Sequence, residues 1–124
     1  MADIKEVPGA GTYQNIVELM SAMENAESED LSDTIADQIM EMPLSVSVRS
    51  GWQTPGVNDQ SPEEYELLMG TGGPAVRIYG RLDQHGRPRS AELQGQDWIT
   101  PWERTTVDQD EEGLLNFAGY FYYD

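Results

Sequence analysis

The sequence predicts an α+β fold: two N-terminal helices, a four-stranded antiparallel sheet and a C-terminal helix packed on that sheet. Three observations predict it. Apolar residues recur at helical spacing as far as Met42, alternate with polar residues from Leu44 to about Trp98, and return to helical spacing after Asp108. At 124 residues the chain suits one domain with one core, so residues 1–124 are read as a single unit.

Each element has its own signal. Residues 1–12, with Pro8, Gly9 and Gly11, read as a flexible lead-in. Thr12 is a suitable cap for a helix from Tyr13, on which Ile16, Leu19, Met20 and Met23 fall on one face. Ser28 or Asp30 caps a second helix, which Pro43 must end near Met42. Leu44, Val46 and Val48 then alternate with Ser45, Ser47 and Arg49, as in a strand with one buried face. A loop rich in Gly, Pro and Asn (50–62) precedes a second strand at Tyr65 to Met69. The run Gly70 to Pro74 forces a turn into a third strand, where Val76, Ile78, Gly80 and Leu82 alternate with Arg77, Tyr79 and Arg81. His85-Gly86 marks a hairpin and Ala91 to Trp98 returns as the fourth strand, so short links imply a meander. Asp108 with Glu111 has the form of a capping box, and Leu114, Phe117, Ala118 and Phe121 give the last helix its apolar face.

Charge is the exceptional quantity. The net value is -16, from 23 acidic and 7 basic side chains. Residues 1–45 hold -9 of it, the middle (46–100) only -2, and residues 101–124 the remaining -5. Such a field repels nucleic acids and anionic membranes and steers basic partners inward. No apolar run is long enough to span a membrane and the first residues lack the pattern of a signal peptide, so a cytoplasmic protein is expected. With no cysteine there are no disulfides, thiolate metal sites or cysteine nucleophiles.

Within the acidic part, Glu29, Asp33, Asp37 and Glu41 stand four residues apart. They are offset by two positions from the apolar series Leu31, Ile35 and Ile39. At about 100° per residue the acids lie opposite the apolar stripe, as a row about 18 Å long. Like charges four apart cost a helix roughly 0.2–0.5 kcal/mol per pair, and no lysine relieves them. The row is either a solvated face or a surface presented to something basic. Glu24 and Glu27 are placed to extend it.

Catalytic and cofactor sites find little support. The glycine run lacks the Lys and Ser/Thr of a phosphate loop. Asp108 to Gly113 starts like a calcium loop but has Gly119 where the bidentate Glu belongs. His85 is the single histidine, and it sits at a turn tip. No enzyme activity, metal or cofactor is therefore expected. Arg49, Arg77 and Arg81 either line an anion site or neutralise Glu64, Glu66 and Glu92 across strands.

Aromatic residues offer a second kind of site. Trp52-Gln53-Thr54-Pro55 and Trp98-Ile99-Thr100-Pro101 repeat a pattern, the second extended by Trp102. The two tryptophans either plug the ends of the sheet core or, with Trp102, flank a contact surface. The tail Tyr120 to Tyr123 has more aromatics than one helix face buries, which exposes part of it, Tyr122 included, to a homodimer or partner.

In size, charge and composition the chain resembles the small acidic anti-restriction and anti-CRISPR proteins of phages and mobile elements. The segments SGWQTPG, TGGPAVRIYG and QDWITPW are similar to small proteins of bacterial mobile elements. The resemblance implies an inhibitor of a host-defence complex inside the bacterial cell, binding a basic surface of a nucleic-acid-handling protein and imitating DNA. The competing expectation is an acidic adaptor or immunity-type module that docks through aromatic anchors, with the acids mainly accelerating association.

Overall fold

The computed structural model describes residues 9–57, 61–71, 75–96, 101–105 and 108–123. In chain order it has α1 (Ala10–Glu24), α2 (Glu29–Glu41), β1 (Ser45–Arg49), β2 (Glu64–Gly70), β3 (Ala75–Arg81), β4 (Glu92–Gln96), β5 (Glu103–Arg104) and α3 (Glu111–Ala118). The fold is the expected α+β arrangement with one more strand. All five strands form an antiparallel meander in the order β1-β2-β3-β4-β5.

The alternation of β2 and β3 decides what each sheet face does. Tyr65, Leu67, Ile78 and Leu93 lie on one face and are buried, together with Val76 and Leu82. Against them pack Ile16 of α1, Ile35 and Ile39 of α2, and Leu114, Phe117 and Ala118 of α3. Burying a side chain of this size contributes about 1.5–3 kcal/mol, so these contacts are the main source of stability. Since α1 packs against both α2 and α3, and α3 against β4, the helix layer runs α2, α1, α3 across the sheet.

Helix ends differ from expectation for local reasons. α1 starts at Ala10, three residues before Tyr13, because Gly9 takes φ 86° at its N-cap, and Thr12 lies inside the helix. Residues 9–12 are thus ordered, while residues 1–8 of the expected lead-in lie outside the described residues. α2 is capped by Ser28, whose Oγ accepts from the Leu31 N–H at 3.1 Å. α3 is preceded by Asp110, not Asp108, and no side-chain cap forms. The Asp110 N–H instead donates to the Tyr13 hydroxyl at 2.9 Å, which ties α3 to α1.

Several expected burials are corrected. Leu31 is half exposed because it lies at the outer end of the α2 stripe. β1 is exposed on both faces, since it forms the sheet edge beyond the reach of the helices. Trp52 is fully exposed in the loop after β1, so it does not plug the core, and Trp98 lies outside the described residues. The end of the core is filled by Tyr65 and Tyr123, with ring centroids 4.8 Å apart. The Tyr123 hydroxyl donates to the Ala118 carbonyl, folding the tail back on α3. β5 has only two residues, and beyond it the Gln109 side chain continues the pairing, bonding both the N–H and the carbonyl of Leu93 at 2.9 Å.

Gly80 faces Tyr65 across the β2–β3 ladder, and the Tyr65 hydroxyl donates to the Ser90 carbonyl at 2.7 Å. A Cβ at position 80 would stand 2.0 Å from the Ser90 oxygen and 2.8 Å from the Tyr65 ring. Gly80→Ala is expected to cost about 2–3 kcal/mol through overpacking against backbone, read as a lower urea midpoint with unchanged slope. Burial raises the hydroxyl pKa of both Tyr65 and Tyr123. Folded-state values above the unfolded value of about 10 mean that this stability is complete below about pH 10 and is lost as pH climbs further. Thermal midpoints should therefore fall above about pH 10, and less steeply in Tyr123→Phe.

Candidate functional site

Two surfaces differ sharply in how their charge is arranged. On the sheet face away from the helices, register brings each cation beside an acid. Arg49 pairs with Glu64 on β2, Arg77 with Glu66 at 2.6 Å, and Arg104 with Glu92 at 3.4 Å. Arg77 also donates to Gln94 at 2.9 Å. Its guanidinium lies over two rings, 4.8 Å from the centroid of Tyr79 and 4.4 Å from that of Trp102. Glu64 further accepts from the Tyr79 hydroxyl. The Arg49 guanidinium, then that hydroxyl, hold the Glu64 carboxyl below the usual carboxylate range, while Glu64 raises the Tyr79 phenol.

This face is a linked charged network with a shallow depression among Arg49, Glu64, Glu66, Arg77 and Tyr79, of about 150 Å³. Arg49 and Arg77 are thus committed to carboxylates. Arg81 lies next to Glu64 in the register and lowers its pKa through charge, although less than Arg49 does.

The helix side is different. Glu29, Asp33, Asp37 and Glu41 are all exposed on α2, opposite the buried Ile35 and Ile39. Among the described residues none of them makes an ion pair, because every such pair lies on the sheet. The row therefore exists as a continuous strip of uncompensated carboxylates. Glu27 is exposed in the link before α2. Glu24 does not extend the strip. It lines a groove of about 580 Å³ between α1 and α3, beside Asp110 and Glu112, floored by Ile16, Met20 and Leu114. The α3 acids of that groove, missed by sequence reasoning, make a second negative patch.

The aromatic candidates separate. Trp52 is fully exposed and Tyr122 nearly so, whereas Trp102 is half buried over Arg77. The loop after β1 and the chain end therefore present free aromatic rings, and Trp102 helps to hold the sheet network. His85 sits in the turn closed by Asp83, whose carboxylate accepts the N–H groups of His85 and Arg87. Among the described residues no three His, Asp or Glu side chains converge to hold a metal ion, and no helix is long and apolar enough to cross a membrane.

Comparison with protein-family models, curated proteins and solved structures gives no match to this chain.

Arg77 holds one carboxylate, one amide and two rings in place. Arg77→Ala is expected to lower stability by about 1.5–3 kcal/mol, the range for a hydrogen bond to a charged group. Denaturant unfolding, followed by circular dichroism, checks it. Arg77→Lys should recover less than half of the loss, because an ammonium cannot serve both flat rings and two acceptors.

Proposed function

We propose that this chain is a non-enzymatic acidic inhibitor that occupies a basic surface of a nucleic-acid-handling host-defence protein in the bacterial cytoplasm, such as a CRISPR effector complex or a restriction enzyme. One observation carries the reading: four exposed carboxylates along one helix without a cation among them. Their step of about 6 Å is comparable to phosphate spacing along one strand of a nucleic acid, so the row can compete for the same lysines and arginines. The carrier suits the task. Ile35 and Ile39 hold α2 on a packed core, so the row reaches a partner already ordered and little entropy is lost on binding.

The structural cost of the row supports the same reading. Three like-charge pairs disfavour α2 by about 1 kcal/mol in sum, and the chain has arginines that it places on the sheet instead. The aromatic-anchor reading also has an observation in its favour, the exposure of Trp52 and Tyr122. In that case the acids set the association rate and the rings set the dissociation rate.

The test is protection of a targeted phage in bacterial strains carrying an active CRISPR or restriction system, each expressing this chain. The wild type is expected to raise plating efficiency in at least one strain. Asp33→Lys with Asp37→Lys should return it to the vector level. Full protection by that double variant would overturn phosphate imitation. If Trp52→Ala and Tyr122→Ala instead abolish protection, the adaptor reading takes its place.

A further inference from the structure

The β1 edge is open in its hydrogen bonding, its packing and its charge. Among the described residues β1 pairs on one side only. Its ladder with β2 is bracketed by the Leu44 N–H bonding the Leu68 carbonyl and the Glu63 N–H bonding the Arg49 carbonyl. With Ser45, Ser47 and Arg49 opposite Leu68, Glu66 and Glu64, those bonds turn the peptide groups of Ser45, Ser47 and Arg49 toward β2. Alternate residues of an antiparallel strand point the opposite way. The peptide groups of Val46 and Val48 therefore face outward.

The helix side of this edge is an apolar ledge. Leu44, Val46 and Val48 are 62%, 42% and 44% exposed, and Met40 at the end of α2 is 47% exposed. Gln38 and the C-cap Met42 of α2 line a cleft with Asn15 and Leu19 of α1, and Ile35 and Ile39 belong to the core cluster. The remaining flank of α2, on the side away from α1, carries Met40, four residues before Leu44 at the entry to β1. Asp33 and Glu29 stand seven and eleven residues before Met40, within about 20° of it around the helix. The apolar strip of β1 thus leads through Met40 to the carboxylates on the same flank of α2.

The geometry points to β1 as the docking edge for an extended segment of the basic partner, added as a sixth strand and hydrogen-bonded to the peptide groups of Val46 and Val48. Arginine or lysine side chains on its helix side lay their methylene stems on Met40, Val46 and Val48 and bring their charged heads to Glu29 and Asp33. This rests on the reading of α2 as a surface for a basic protein, and adds which edge is used and in what form. Charge selects this occupant over a second copy of the chain. A two-fold axis at Ser47 would set Val46 against the copy's Val48, but it would also bring two cation-free rows of carboxylates face to face, and like-charge juxtaposition disfavours that contact.

The probe is a short end-blocked peptide of alternating arginine and threonine, titrated into the full-length isotope-labelled protein at physiological salt. The amides of Val46 and Val48 are expected to shift and to exchange with solvent about tenfold more slowly, the equivalent of about 1.4 kcal/mol. Val46→Pro removes an outward N–H and leaves the β2 ladder intact, so it should weaken peptide binding about tenfold. If that variant does not fold, Val48→Lys, which puts a like charge on the ledge, must weaken binding equally. Shifts confined to α2, with full binding by the folded edge variant, would overturn the edge proposal and leave the acidic-row reading standing. Binding that Asp33→Lys with Asp37→Lys leaves unchanged, or no binding at all, would overturn both. A concentration-dependent dimer in sedimentation that Val46→Pro abolishes would overturn the proposal in favour of a second copy.

Discussion

Everything else in this protein depends on the two-sidedness of β2 and β3. Because Tyr65, Leu67, Ile78 and Leu93 turn to one face, the helices have one surface on which to bury Ile16, Ile35, Ile39 and Phe117. The same alternation commits Glu64, Glu66, Arg77 and Tyr79 to the other face, where register places opposite charges side by side. A single-residue slip would exchange the faces and bury the charges. The bulge between Leu68 and Gly70 falls at the far end of the ladder, beyond the part that packs Tyr65 over Gly80.

Charge segregation follows from this constraint. The sheet uses its arginines internally, so the described acids of the helix layer are left without cations. Among the described residues the unpaired negative charge is thereby gathered on α2 and along the groove between α1 and α3, with a neutralised face on the opposite side. A protein of net charge -16 that spread its acids evenly would repel indiscriminately. Here the field has a direction, which is what steering toward a basic groove requires.

The parts legible in the sequence were those where one period runs long enough to be read. α2 has Ile35, Ile39 and a capping serine, and β3 alternates through seven residues. α3 shows its apolar face in Leu114, Phe117 and Ala118, but the helix ends at Ala118, so Phe121, expected on that face, is buried from the tail beyond it. β5 was not legible, because a two-residue strand has no period; it exists by its register with β4 and the Gln109 side chain beyond it. Alternation in β1 told the faces apart but not that the helix layer stops short of them. Gly9 suggests a flexible lead-in by its type alone, whereas its positive φ places it at the N-cap of α1. At the site, the spacing of the row was visible, but the diversion of Glu24 to the α3 side and the stacking of Trp102 on Arg77 depend on distant elements.

Among the described residues the uncompensated negative charge lies on α2 rather than on the open sheet face. Relaxation of amide resonances by the paramagnetic cation hexaamminechromium(III), corrected with a neutral probe for exposure, reads that distribution residue by residue. The strongest enhancement is predicted along Glu29–Glu41, with little on β2 and β3. Equal enhancement on the open sheet face, or a uniform effect over the surface, would contradict the account.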